Sequence, residues 1–114
     1  MTVQEQMRKG TTTVILLHLL ADMDRPMYGY EIIQELEARS QGAFHFKEGL
    51  IYPRLHELER QGLLRAEWRG EEGRRRRKFY TITEAGRRRL ERELQGWRTL
   101  TEQVNRLLGV EAGL

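Results

Sequence analysis

The chain contains no cysteine and only two prolines in 114 residues. Without cysteine there is no disulfide, no thiolate metal site and no cysteine nucleophile. No apolar run approaches the roughly 20 residues that cross a bilayer. Residues 14–20 (Val-Ile-Leu-Leu-His-Leu-Leu) are too short for that, and the polar residues before them do not resemble a secretion signal, so the expected location is the cytoplasm. Histidines at 18, 45 and 56 lack metal-ligand spacing, and no glycine-rich phosphate loop is present. The only adjacent carboxylates, Glu71 and Glu72, fall in a turn. No metal, cofactor or enzymatic site is therefore expected. The length suits one domain with a modest core.

What is abundant is positive charge in one place. Residues 65–89 hold ten Arg or Lys against four Glu, which is +6 within 25 residues, while the whole chain carries +3. The densest part is Arg74-Arg75-Arg76-Arg77-Lys78. Five consecutive cations cannot be buried, and they repel one another until solvent or a polyanion neutralises them. Such asymmetry is the electrostatic footprint of a nucleic-acid binder. The plainer reading is a solvated basic face.

The periodicities predict a mainly α fold with one small hairpin. A first helix is expected at about 11–23, with Thr12 or Thr13 as cap, or begun earlier through Gly10. Its stretch Val14 to Leu20 is apolar almost all round and predicts burial on most faces. Asp24-Arg25-Pro26 ends it. A second helix is expected at about 28–39, with Ile32, Ile33 and Leu36 inward. A third is expected at about 47–61, with Ile51, Leu55 and Leu58 inward and a left-handed cap at Gly62. Leu64, Ala66 and Trp68 alternate with charged residues, so about 64–69 is a strand, Gly70 to Gly73 a turn, and about 76–82 the return strand. Trp68 is placed in the core beneath this ribbon, on the face of Tyr80 and Ile82.

Thr83-Glu84 then opens a long helix with a hydroxyl cap and a carboxylate in its first turn. Along it Leu90, Leu94, Trp97, Thr101, Val104 and Leu108 are spaced 4, 3, 4, 3, 4, a heptad seam widened by Leu100 and Leu107. Because the domain already has a core, the seam predicts pairing with a second copy. The alternative is that it folds back on its own domain. The expected layout is a winged helix-turn-helix over 1–83, with its wing at about 64–82, followed by a C-terminal dimerisation helix within 84–114.

Four stretches carry a further message: Tyr28-Gly29-Tyr30-Glu31-Ile32, Glu48-Gly49-Leu50-Ile51-Tyr52-Pro53-Arg54-Leu55, Leu58-Glu59-Arg60-Gln61-Gly62-Leu63, and Arg77-Lys78-Phe79-Tyr80-Thr81-Ile82-Thr83-Glu84-Ala85-Gly86. In that order, over about residues 14–95, they resemble the PadR-like transcriptional regulators, and the single helix after the wing resembles their compact subgroup. Leu50 departs from the pattern, since the family often has Ser or Thr there. The resemblance implies a homodimeric repressor that binds double-stranded DNA at an inverted repeat. In members of this architecture the dimer interface is where flat aromatic ligands can bind.

Residue chemistry divides the labour. Arg74, Arg75, Arg76, Arg77 and Lys78 suit phosphates, which give affinity without sequence information. Lys47, Leu50, Tyr52 and His56 on the third helix suit base edges, with Gly49 letting backbone approach closely. N–H groups near Tyr28 and Gly29 suit a phosphate at a helix start. Tyr52 could equally lean on the domain edge, and His56 could be an uncommitted surface residue. His18 reads as a core or interface histidine. Trp97, facing its symmetry mate, would either stack a small aromatic effector or pack as dimer core. Two other functions compete: a winged helix that binds protein, and a nucleic-acid binder without sequence preference.

Overall fold

The computed structural model describes residues 3–43, 45–70 and 75–110, with side chains from residue 10 onward. The elements run α1 (Val3–Met23), β1 (Met27–Tyr28), α2 (Gly29–Arg39), α3 (Glu48–Arg60), β2 (Leu64–Arg69), β3 (Arg77–Ile82) and α4 (Glu84–Leu108). Most of the chain is helical, and the sheet has the antiparallel order β1-β3-β2. Residues 71–74, which include part of the expected turn and Arg74, lie outside the described residues.

The first helix takes the longer of its two starts. It continues through Gly10, an interior glycine that costs about 1 kcal/mol relative to alanine. Thr12 and Thr13 are therefore buried mid-helix residues and not caps. Burial outweighs the glycine: Leu16, Leu17, Leu19 and Leu20 are all in the core, each stabilising by roughly 1.5–3 kcal/mol. His18 lies on the remaining side and is exposed in the single chain.

The expected two-stranded ribbon has a third strand. Pro26 holds its φ and donates no N–H, so the chain leaves α1 extended and pairs only beyond it. Met27 then faces Tyr80 and Tyr28 faces Phe79 across β3. Two residues are too few for alternation to show in a sequence, which is why this strand was not expected.

The end of α3 is built as expected. Gly62 has φ +75°, its N–H reaches the Glu59 carbonyl at 3.0 Å, and the Leu63 N–H reaches the Leu58 carbonyl at 2.9 Å. This pair of bonds satisfies the last carbonyls and turns the chain into β2. The hairpin pairs Leu64 with Ile82, Ala66 with Tyr80 and Trp68 with Lys78.

Trp68 corrects an expectation. It shares the inward face of Leu64, as its spacing requires, yet it is 58% exposed. The hairpin outruns the apolar core: Leu64 is buried, Ala66 half-buried, and Trp68 has the Lys78 ammonium near its ring and no core side chain over it.

Thr83 joins the last helix to the rest. Its hydroxyl accepts the Gly86 N–H at 3.0 Å and donates to the Gly62 carbonyl at 2.7 Å, while its own N–H reaches Leu63 O at 3.1 Å. A side chain at Gly86 would collide with the Leu63 carbonyl, 2.2 Å from an added Cβ. Arg87 reaches back to Asp24 at 2.7 Å. The start of α4 is thus fixed to the end of α3 and to the loop after α1. Beyond Leu90, its last buried residue, α4 leaves the core, and the molecule extends 60 Å by 30 Å by 30 Å.

Candidate nucleic-acid interface

The amino-terminal half of α3 forms an open surface. Lys47 is its N-cap, with extended φ and ψ of −73° and 144°, and no side chain caps the helix. Lys47, Glu48, Gly49 and Leu50 are all exposed. A Cβ built on Gly49 would meet nothing within 4 Å, so the fold itself does not require a glycine there. Pro53 and His56 are also exposed, one and two turns along the side away from the core. Glu57 and Arg60 pair beside His56, and the hydrogen bond from Arg60 holds the Glu57 carboxyl below its usual range.

Tyr52 has a different setting. Its ring lies on the backbone of Gly29, where an added Cβ would come within 2.1 Å of Tyr52 Cε1. Tyr52 is therefore wedged between the start of α2 and α3, at the domain edge. Burial pushes its phenol pKa up and the nearby Glu48 adds to this, while Arg75 pulls it down. The last effect locates the wing: Arg75 is close enough to the first turns of α3 for its charge to be felt there.

The arginine run does not stay together. Arg75 and Arg76 precede β3 and are exposed, and no described carboxylate pairs with them. Arg77 and Lys78 occupy successive strand positions and so point to opposite faces. Arg77 turns outward, its guanidinium 4.6 Å from the centroid of the Tyr28 ring. Lys78 turns inward, where its ammonium binds Glu59 of α3 at 2.8 Å and lies 6.0 Å and 5.5 Å from the Trp68 and Tyr80 rings. The hydrogen bond to Glu59 raises the Lys78 pKa, against the opposing effect of burial. Lys78 thus ties the wing to α3, a role unlike the phosphate contact expected of it. The rest of the basic segment is scattered too, since Arg87 binds Asp24 and Arg89 binds Glu93 at 2.6 Å.

Tyr28, expected to contribute a helix-start N–H, is half-buried as the N-cap of α2 and offers no capping side chain to it. Its ring meets Phe79 edge-on, at 5.5 Å between centroids and 66° between planes. Arg69 lies outside the expected set, and its guanidinium sits 5.3 Å from the Phe79 centroid. Period two across the hairpin makes Arg69 the partner of Arg77 on the same face.

The second expected surface is the exposed side of α4. Leu90 is buried and Leu94 half-buried, whereas Trp97 is 55% exposed and Leu100, Val104, Leu107 and Leu108 are all uncovered. Thr101 bonds its own helix, donating to the Trp97 and Arg98 carbonyls at 3.1 and 3.0 Å. Between α4 and α1 runs an open groove of about 730 Å³, lined mainly by Val14, Ile15, Phe46, Leu94, Trp97 and Leu100, with His18 at its side. Among the described residues no group of three or more His, Asp or Glu could hold a metal, and no helix is long and apolar enough to cross a membrane.

Three helices with a wing, followed by a long arm, define a winged-helix protein. The profile of the transcriptional regulator PadR-like family matches residues 16–92. The chain belongs to that family. It is 35% identical over 99 residues to the transcriptional regulator Rv3488 of Mycobacterium tuberculosis, covering 86% of this chain and 89% of that one. Among solved structures, a PadR-like transcription factor from Bacteroides fragilis is 33% identical with a TM-score of 0.79, over 92% of this chain and 97% of the other. A PadR family regulator from Eggerthella lenta is 30% identical with a TM-score of 0.76, over 95% and 91%. The DNA-binding regulator expected from the sequence is thus the family's own class.

Proposed function

We propose that the protein is a homodimeric repressor that reads an inverted repeat in double-stranded DNA in the cytoplasm and has no enzymatic activity. The observation that carries this reading is the uncovered apolar side of α4. A helix whose leucines, valine and tryptophan face solvent over about three turns is stable only against another apolar surface, and a second copy supplies the same surface. Leu90, Leu94, Trp97, Thr101, Val104 and Leu108 would form that seam.

Within each copy, Lys47, Gly49, Leu50 and His56 on α3 would face base edges in the major groove, with Tyr52 setting the distance between α3 and the start of α2. Backbone at Tyr28 and Gly29, together with the wing arginines from Arg74 to Arg77, would contact phosphates. Lys78 holds the wing in place from behind. The groove beside Trp97 suits a flat aromatic effector, since an indole offers a stacking face and its neighbours are apolar. Such a ligand, wedged between the two copies, would change the spacing of the two reading helices and release the DNA.

Selection of bound duplexes from a random pool by the purified protein tests this. The expected product is an inverted repeat with half-sites about one helical turn apart. A pool with no enriched motif would overturn the reading in favour of a non-specific binder. Failure to bind any duplex at low salt would favour a protein-docking winged helix.

A further inference from the structure

The outer face of the wing sets two like charges side by side. Arg69 and Arg77 are direct cross-strand partners on β2 and β3. Like charges directly opposite one another destabilise a strand pair. Each guanidinium is nevertheless seated on an aromatic ring: Arg77 on Tyr28, at 4.6 Å, and Arg69 on Phe79, at 5.3 Å. The two rings brace one another edge-on. Arg69 also has Glu67 beside it on the same strand, while Arg77 has no described carboxylate.

The seats have a physical consequence. A free arginine side chain carries much rotamer freedom, which is lost when it grips a phosphate. A guanidinium lying on a ring has already given up most of that freedom, and the edge that carries its N–H donors remains available. Arg75 and Arg76, exposed and unseated, have that loss still ahead of them.

We propose that Arg69 and Arg77 form a pre-ordered double-guanidinium seat for a phosphate strand of duplex DNA, and that Tyr28 and Phe79 act as its positioning residues. This rests on the DNA-binding reading above and adds Arg69, outside the arginine run, to the contact set. It also gives the Tyr28 ring a task in the wing, beside the one proposed for its backbone.

The test uses the selected duplex and a salt series with the full-length protein. Tyr28→Leu and Phe79→Leu each remove a ring and no charge. Each is expected to weaken binding roughly two- to tenfold, the range for one side chain that must now be ordered on binding. The salt slope should stay the same, because the number of neutralised phosphates is unchanged. Tyr28→Phe should bind as the original does. In a background of Arg77→Gln, where the salt slope falls by about one, Tyr28→Leu should cost nothing further. Arg77→Lys, which leaves the ring intact, should keep the slope and lose affinity. That variant keeps the proposal testable if Tyr28→Leu fails to fold. Full affinity in Arg77→Lys, or an equal loss from Tyr28→Leu with and without Arg77, overturns the inference while leaving the regulator reading intact. Absence of any duplex binding by the unaltered protein overturns both.

Discussion

Two glycines show how residues that look alike in a sequence can have unlike roles. Gly29 and Gly49 each stand in the first turn of a helix. An added Cβ at Gly29 would strike the Tyr52 ring, whereas at Gly49 it would point into open space. Gly29→Ala is therefore expected to destabilise the fold by about 1–3 kcal/mol, the usual cost of overpacking. Gly49→Ala should leave the melting temperature unchanged or slightly higher, since alanine is the better helix former. In a duplex titration that same variant should bind more weakly, because its methyl would stand between the backbone and the bases. Thermal melting together with titration separates the two effects. Equal losses of stability would contradict the contact at Gly29, and undiminished binding by Gly49→Ala would remove Gly49 from the reading surface. The sequence marks both positions but cannot distinguish them, because the Gly29–Tyr52 contact joins residues 23 apart in the chain. Trp68 was opaque for a related reason. Alternation identifies the face it occupies, but where the core beneath that face ends is set by other elements. Arg77 and Lys78 were hidden by their own uniformity, since a run of cations does not display the period that sends them to opposite sides.

At the scale of elements, the lysine that ties the wing to α3 and two phenols near it titrate in alkali. Lys78 bonds Glu59, which raises its pKa, and the half-buried Tyr52 and buried Tyr80 have phenols pushed up chiefly by burial. A lysine whose folded value is raised contributes stability that is complete below its unfolded value, near 10.4, and is lost as pH rises past the folded value. The phenols follow the same sign: the folded state favours their neutral form, so stability falls once the unfolded chain ionises above about pH 10. The junction should thus be indifferent to pH between about 6 and 9 and weaken above about 10. Tyr80→Phe, which removes one of these phenols, should show a smaller drop in melting temperature between those two regimes than the unaltered protein. An equal or steeper drop would show that Tyr80 does not carry the effect. Most elements could be read locally: inward stripes at helical spacing gave α2 and α3, alternation gave β2 and β3, and a threonine cap gave α4. The two-residue β1 and the start of α1 could not. The first is too short to have a pattern, and the second depends on core burial outweighing an interior glycine.

At the scale of the whole molecule, the heptad spacing in α4 anticipated a side that the single chain leaves bare from Trp97 onward. Trp97→Glu combined with Leu100→Glu places two charges in the proposed seam. Sedimentation should then find monomers at concentrations where the unaltered protein is dimeric, with melting behaviour of the winged domain preserved. A dimer that survives both charges would place the contact elsewhere. What no sequence pattern conveys is the direction in which α4 departs, and that is fixed where Thr83 and Gly86 lock onto Gly62 and Leu63, just past the end of α3. There is no slack joint at this point. Each added or deleted residue between that lock and the seam would swing the mating surface by about 100° and shift it by about 1.5 Å. In the proposed dimer the rotational phase between the two winged domains is therefore counted out in residues of α4. A lineage of such proteins could retune the half-site spacing it accepts by changing the length of this shaft while leaving every base-contacting residue untouched.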